Sequence, residues 1–269
     1  MLKDITLGQY YQTESVIHGL DPRVKLVGTI CYIISLFLVN NVWGYLVAAL
    51  FLAVMIKLSN VPFKFMVKGM KAIVFLLMIT VAFNMFLTPG ETLVAIWKLK
   101  ITKEGIKIAV TMAIRLVFLV IGSSVMTLTT TPNHLTDGME KMMSPLKKIK
   151  VPVHEIAMMM SIALRFIPIL MEETDKIMKA QIARGADFES GNLIKKAKSM
   201  VPLLVPLFIS AFRRANDLAM AMEARCYRGG EHRTKMKPLH YERRDYIAYL
   251  VIISYLILGI AVGKIVGML

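Results

Sequence analysis

Apolar residues along this chain are gathered into long runs that short polar segments separate. Asn40-Asn41 is one such break, and Asp21-Pro22 precedes the first run. A helix needs about 20 residues to cross the hydrocarbon layer of a bilayer. The pattern predicts five membrane-spanning helices, at Leu26–Val39, Val42–Leu58, Ala72–Leu87, Ile106–Leu128 and Tyr246–Val266. We expect Asp21 to cap the first helix and Pro22 to occupy its first turn.

Residues 131–245 form a central block that is too apolar for a solvated loop. Two long helical patterns follow one another in it, from Val153 to Arg184 and from about Asn192 to Cys226. The apolar runs inside both patterns contain prolines and fall short of a comfortable bilayer crossing. We therefore predict two long interfacial helices. The alternative topology, in which both helices cross the membrane, adds two spans.

Composition and charge agree with a membrane protein. Hydrophobic residues make up 56% of the 269 residues and charged residues only 19%, which excludes an ordinary soluble domain. Most of the 33 lysines and arginines precede the third predicted span or lie between residues 131 and 245. Because positively charged segments stay cytoplasmic, we predict a multi-pass protein of the bacterial cell membrane with a cytoplasmic N-terminus.

The predicted organisation has three parts. Residues 1–130 form a membrane bundle of four helices, residues 131–245 form a cytoplasmic domain of long helices, and residues 246–269 form a C-terminal membrane helix. The same positive-inside bias accounts for the net charge of +15, so no nucleic-acid partner is expected. The lipid bilayer is the first partner that the pattern implies.

Enzymatic motifs are incomplete in this chain. Gly263-Lys264 lacks the following serine or threonine and the glycine spacing of a phosphate-binding loop. His154-Glu155 begins like the helix of a zinc protease, but Met158 stands where the second histidine is required. We therefore predict that the chain is not an enzyme and that it holds no catalytic residue, no metal and no cofactor of its own.

Each long helical pattern in the central block ends at an arginine flanked by small residues. These segments are tip 1, Ala183-Arg184-Gly185, and tip 2, Ala224-Arg225-Cys226. A helix C-terminus alone explains a cation and Gly185, because cations suit the negative end of the helix dipole and glycine caps helices. It does not explain why the Ala-Arg pair recurs with cysteine in the capping position. A guanidinium pairs bidentately with carboxylates, so both tips are candidate docking sites for partner proteins.

Three further residues are candidates for a structural or coupling role. Arg115 lies inside the fourth predicted span, where insertion scales assign a charged residue roughly 2.5–3.5 kcal/mol, so it should face protein or water. No carboxylate in the spans is an evident partner for it. Arg165 and Pro168 interrupt the apolar run of the first long helix.

Alternative functions remain open at this point. A self-contained secondary transporter or channel is the main one, although it requires polar ligands near the middle of the membrane. The spans offer few such groups apart from Arg115 and scattered residues such as Asn84, Ser123 and Ser124. A membrane enzyme that acts on lipids is a weaker alternative.

The chain resembles a known family over nearly its full length: the transmembrane (T) component of energy-coupling factor transporters, a branch of the ABC superfamily. The motifs that carry the resemblance are the two tips, Leu20-Asp21-Pro22-Arg23-Val24-Lys25-Leu26 and Arg165-Phe166-Ile167-Pro168. Residues Ile5-Thr6-Leu7-Gly8-Gln9-Tyr10 are similar to T components of shared modules. Cys226 departs from the Ala-Arg-Gly form at the second tip.

The resemblance implies an all-α membrane protein whose cytoplasmic coupling helices form an L shape. It implies that Arg184 and Arg225 dock into grooves of two ATP-binding cassette subunits, which bind the ATP. The motion of those subunits would reach an exchangeable substrate-binding S component, which in shared modules is mostly specific for a vitamin. The chain is then expected to be the energy-coupling scaffold of a vitamin importer rather than part of a dedicated cobalt or nickel transporter.

Overall fold

The computed structural model describes residues 10–39, 41–96, 99–186, 188, 192–230 and 235–267. Residues 5–9 of the N-terminal motif lie outside the described residues. The contacts form two compact units. The tip unit lies within residues 139–238, and the bundle unit consists of the described residues before 139 and after 238.

Helices dominate both units, as the sequence predicts. In chain order the elements are α1 (Pro22–Leu38), α2 (Val42–Ser59), α3 (Phe63–Lys68), α4 (Lys71–Leu87), β1 (Thr92–Ile96), β2 (Leu99–Thr102), α5 (Lys103–Thr129), α6 (Pro132–Met143), a 3-10 turn (Ser144–Ile149), α7 (Val153–Ala183), α8 (Leu193–Ala224) and α9 (Arg243–Gly267). The two short strands form an antiparallel hairpin between α4 and α5 that the sequence analysis did not predict.

Local signals define the ends of the bundle helices. The side chain of Asp21 accepts a hydrogen bond from the backbone N–H of Arg23 at 2.8 Å, and Pro22 occupies the first turn, which confirms the predicted start of α1. The Thr102 hydroxyl caps α5 by accepting from the N–H of Gly105 at 3.0 Å. These side chains satisfy backbone donors that have no partner inside the helix.

The core of the bundle unit lies where α5 and α9 pack against α1 and α2. The ring of Tyr32 occupies the space above Gly122, where an added Cβ would be 2.5 Å from the ring. Ser35 and Tyr255 join α1 to α9 by a hydrogen bond of 2.6 Å between their hydroxyl groups. A small residue on α5 and a buried polar pair therefore fix how these helices approach one another.

In the part of the chain that the structure describes, four helices are long and apolar enough to cross a membrane: α2, α5, α7 and the Arg243–Gly263 part of α9. They include the second, fourth and fifth predicted spans, which are thus confirmed as helices of sufficient length and apolarity. The first and third predicted spans correspond to α1 and α4, which have 17 residues each. The expectation that the apolar run of the first long helix is too short to cross was wrong. The run continues through Arg165 and Pro168 as one helix of 31 residues.

The tip unit is built on α7 and α8, which pack against each other. The described starts and ends of both helices agree with the two long helical patterns in the sequence, and α8 has 32 residues. Pro168 lies within α7, and Pro202 and Pro206 lie within α8 without ending it. Which of these segments cross the membrane, and on which side each loop lies, remain predictions.

Candidate docking site at two arginine tips

Tip 1 closes α7 with a left-handed turn. Arg184 is the C-cap residue with φ −88° and ψ 6°, and Gly185 follows at φ +88°. The N–H of Gly185 donates to the carbonyl of Ile182 at 2.9 Å, and the N–H of Ala186 donates to the carbonyl of Gln181 at 3.0 Å. This pair of hydrogen bonds is a Schellman motif, which satisfies carbonyl groups at the end of the helix.

Tip 2 has the same geometry despite its cysteine. Arg225 is the C-cap residue of α8 with φ −91° and ψ 13°, and Cys226 adopts φ 56°. The N–H of Cys226 donates to the carbonyl of Glu223 at 2.9 Å, and the N–H of Tyr227 donates to the carbonyl of Met222 at 3.0 Å. Cys226 thus takes the left-handed conformation that glycine takes at tip 1, at a cost of about 1–2 kcal/mol for a residue with a Cβ.

Both arginines are exposed, as are the other residues of the two tips. Among the described residues, neither the Arg184 nor the Arg225 guanidinium has a hydrogen bond or ion pair. Each side chain therefore keeps its fork of N–H donors available to a partner. The two tips thus present an exposed guanidinium in the same backbone geometry.

The two tips lie at opposite ends of an antiparallel helix pair. Glu173 of α7 forms an ion pair with Arg214 of α8, and the side chain of Gln181 donates to the Pro202 carbonyl at 3.5 Å. This register places tip 2 level with the first turns of α7. At 1.5 Å per residue, tip 1 and tip 2 are then roughly 35 Å apart along the pair.

The chain that follows tip 2 is anchored at the start of α7. Gly230 packs on the His154 ring so closely that an added Cβ would lie within 2.4 Å of it. Glu140 pairs with His154 at 3.1 Å and with Lys235 at 2.5 Å. Burial raises the pKa of the Glu140 carboxyl, but hydrogen bonds from Lys235 and His154 outweigh it, so the pKa lies below its ordinary value. His154 therefore has a carboxylate partner in the fold.

Arg115 belongs to the bundle unit and has neutral partners there. Its Nε donates to the Tyr45 hydroxyl at 3.0 Å, and its Nη2 donates to the Val39 carbonyl at 3.2 Å. The guanidinium also lies 5.5 Å from the centre of the Phe37 ring. Arg115 thus connects α5 to the end of α1 and the start of α2. The sequence offered no carboxylate partner for Arg115. It did not reveal Tyr45, because Tyr45 and Arg115 are 70 positions apart in the chain.

The remaining candidate residues, Arg165 and Pro168, lie within α7. Arg165 is exposed on α7, and Pro168 is exposed near it. Ile162, Phe166 and Leu170 of the same helix line a cavity toward α8. Arg165 therefore lies roughly 28 Å before Arg184 along α7.

Long apolar helices and little β-structure in the described part of the chain define a helical, multi-pass membrane protein. Residues 13–236 match the model of the family described as CbiQ, cobalt transport protein. The chain belongs to this family, as a transmembrane component of an energy-coupling factor transporter.

Curated bacterial relatives carry the name energy-coupling factor transporter transmembrane protein EcfT. The relative from Clostridium kluyveri is 59% identical over 252 residues, covering 93% of each chain. The relative from Bacillus subtilis is 46% identical over 260 residues, covering 96% of this chain and 97% of its own. The relative from Lactococcus lactis is 44% identical over 265 residues, covering 98% and 100%.

Proposed function

We propose that this chain is the non-catalytic scaffold that couples two ATP-binding cassette subunits to a membrane S component during vitamin uptake. Arg184 and Arg225 each dock in an acidic groove of one ATP-binding subunit. ATP is bound and hydrolysed in those subunits, and this chain contributes no cofactor and no catalytic residue. Helices α7 and α8 carry the motion of the subunits to the S component.

The observation that carries the proposal is the repetition of one exposed arginine in one backbone geometry. A helix terminus used only for capping needs a left-handed residue, as Gly185 provides. Cys226 accepts backbone strain to keep the same turn behind Arg225. Both guanidinium groups are exposed and have no partner among the described residues. This combination suits recognition of two carboxylate-bearing surfaces.

The distance between the tips supports two separate docking events. Because α7 and α8 run antiparallel, the arginines are too far apart to enter a single groove. One ATP-binding subunit at each tip would pull on opposite ends of the helix pair. The Glu173–Arg214 ion pair and the apolar contacts between these helices connect the two ends. A displacement at either tip would then move the pair as a body.

A surface of α8 suits a membrane partner. Large apolar side chains that are at least half exposed recur at helical spacing along it, at Val201, Leu204, Val205, Phe208 and Phe212. Exposed apolar patches of this kind mark contacts with proteins or lipid. We assign this surface to the S component. The choice of a vitamin-type shared module rests on the N-terminal motif Ile5-Thr6-Leu7-Gly8-Gln9-Tyr10.

Co-purification in mild detergent tests the proposal. The full chain would be expressed together with two ATP-binding cassette subunits and an S component as wild type, Arg184→Ala, Arg225→Ala and the double variant. Arg213→Ala and Arg228→Ala are matched controls, because both arginines are exposed and lie outside the tips. We expect each single tip variant to lose part of the ATP-binding protein. The double variant should lose all of it and keep the S component.

Two results would contradict the proposal. One is a double variant that retains both ATP-binding subunits at the wild-type ratio. The other is a wild-type chain that purifies alone and still moves a solute into liposomes, since that result defines a self-contained transporter. The control variants show whether any loss reflects general removal of positive charge.

A further inference from the structure

A groove in the bundle unit lies among α1, α2, α5 and α9. It encloses about 260 Å³, slightly below the roughly 300–1,000 Å³ that is usual for ligand pockets. Its lining is almost entirely apolar and includes Leu20, Val24, Phe51, Leu52, Val125 and Val251. The two charged side chains in this lining, Lys25 and Arg244, are both cations. A ligand that matches the groove is therefore apolar over most of its surface and negative at one end.

The two cations retain hydrogen-bonding capacity. Lys25 donates to the His18 carbonyl at 3.1 Å and to the Thr129 carbonyl at 2.8 Å. An ammonium group has three N–H donors, so one remains for a ligand. Arg244 pairs with Glu242 at 3.0 Å through Nη2, and both side chains of this pair are exposed. Exposed pairs are weak, and the guanidinium has further donors.

Glycine permits the position of Arg244. A Cβ on Gly19 would lie 2.4 Å from the Arg244 Nη1. The guanidinium therefore lies against the bare backbone of the segment that leads into α1. This contact holds the cation of α9 beside the end of α1 that carries Lys25.

Tyr32 supplies an independent indication of a ligand. Its side chain lines the groove and is 4% exposed, and its hydroxyl has no hydrogen-bond partner among the described residues. A buried hydroxyl without a partner is unfavourable. Tyr32 lies two helical turns after Lys25, on the same face of α1. Helical side chains lean toward the N-terminus, which brings the hydroxyl toward the cationic end.

We infer that the groove binds one anionic phospholipid. An acyl chain fills the apolar part, an ester carbonyl accepts from the Tyr32 hydroxyl, and the phosphate lies by Lys25 and Arg244. In the predicted topology these ends of α1 and α9 face the cytoplasm, and the cytoplasmic leaflet carries anionic lipids. A zwitterionic lipid presents the same phosphate together with its own cation, so it competes poorly for Lys25 and Arg244.

Photo-crosslinking of the full chain in nanodiscs tests this inference. Phosphatidylglycerol and phosphatidylcholine with the same diazirine-labelled acyl chain would be used at equal amounts, and adducts would be mapped by mass spectrometry. We expect phosphatidylglycerol to label α1 and α9 at the groove. Unlabelled phosphatidylglycerol should compete about fivefold better than unlabelled phosphatidylcholine for each cation engaged.

Matched variants locate the site. Ala248→Phe fills the groove, while Ala261→Phe places the same ring on the same helix away from the lining. Arg244→Gln removes a cation of the lining, while Arg243→Gln removes its exposed neighbour outside it. We expect Ala248→Phe to abolish the groove adducts and Arg244→Gln to reduce the preference for phosphatidylglycerol about fivefold. Both controls should label as wild type.

Tyr32→Phe examines the hydroxyl separately. Without lipid, the variant should melt at the same temperature as wild type or higher, because it removes an unpaired polar atom. With phosphatidylglycerol, wild type should gain more thermal stability than the variant. Equal labelling by the two lipids, or labelling spread evenly along α9 and unchanged in Ala248→Phe, would overturn the inference. Because Arg244 is exposed, Arg244→Gln should fold normally. It therefore tests the preference for phosphatidylglycerol even if Ala248→Phe does not fold.

Discussion

The backbone N–H of Asp21 donates to the carboxylate of Asp245 at 2.8 Å across 224 positions of sequence. The second oxygen of Asp245 accepts from the N–H of Glu242, also at 2.8 Å, and Asp245 is only 2% exposed. Asp245 lies in the first turn of α9, and Asp21 caps α1. One buried carboxylate therefore joins the beginnings of the first and last helices of the bundle unit.

Asp245→Asn should destabilise the bundle unit. An amide can accept through only one of its two polar atoms, so one backbone donor loses its partner. We expect a loss of about 1–3 kcal/mol in the free energy of unfolding, measured by thermal unfolding of the purified chain in detergent. Glu242→Gln is the control, since its side chain is exposed and should change stability little. Equal stability of Asp245→Asn and wild type would contradict this role.

Acidification should weaken the bundle unit through Asp21. Burial raises the pKa of Asp21, but hydrogen bonds from the side chain and backbone of Arg23 outweigh it, so its pKa lies below the ordinary value. Such a carboxyl stabilises the fold above its unfolded pKa, and this contribution disappears as pH falls through the folded pKa. We expect the thermal unfolding midpoint of the purified chain to decrease when the pH is lowered below about 4.

The Asp21→Asn variant identifies the source of this dependence. It should be less stable than wild type at neutral pH and should lose less on acidification, because the titrating group is gone. Glu14→Gln is a suitable control, because Glu14 is exposed near the same helix. Parallel pH profiles for wild type and Asp21→Asn would show that Asp21 does not carry the effect.

Arg115→Leu should lower the yield of folded protein. The change leaves the Tyr45 hydroxyl and the Val39 carbonyl without their donor, at a cost of about 2–3 kcal/mol. Tyr45→Phe removes one of these contacts and should cost about 1 kcal/mol. Size-exclusion chromatography and thermal unfolding measure the structural effect. A variant that assembles normally and transports poorly would instead assign Arg115 to coupling.

Tip 2 should become more stable when its cysteine is replaced by glycine. Cys226→Gly relieves the left-handed strain of a residue with a Cβ, and we expect a gain of about 1 kcal/mol in local stability. Gly185→Ala introduces the same strain at tip 1 and should cost a similar amount. Hydrogen exchange of the last turns of α7 and α8 measures both changes. The local stability should rise in Cys226→Gly and fall in Gly185→Ala. Changes in the same direction would contradict the shared geometry of the two tips.

A spin-label distance should confirm that the tips are far apart. In a Cys31→Ala background, a label on the exposed native Cys226 lies within tip 2, and a label on Ile182→Cys lies next to tip 1. We expect a distance distribution centred at roughly 35 Å. A parallel arrangement of α7 and α8 would bring the labels much closer. A short distance would therefore contradict both the register and the proposal of two docking events.

Much of the fold follows from local sequence signals. Asp21-Pro22 begins α1 as predicted, and the long periodic pattern from Val153 ends at tip 1. The prolines inside α7 and α8 do not mark helix ends. The predicted helical pattern from Val153 to Arg184 includes Pro168, and α7 continues through it, because packing against α8 outweighs the loss of one backbone hydrogen bond.

The sequence by itself determined the helices, their caps and the two exposed arginines, because each depends on groups within a few residues of one another. The Schellman turns at Arg184 and Arg225 are of this kind. Only the tertiary structure decided that Arg115 binds Tyr45, that Asp245 binds Asp21 and that the tips lie at opposite ends of one helix pair. These contacts join residues that are distant in the chain, and helix packing alone brings them together.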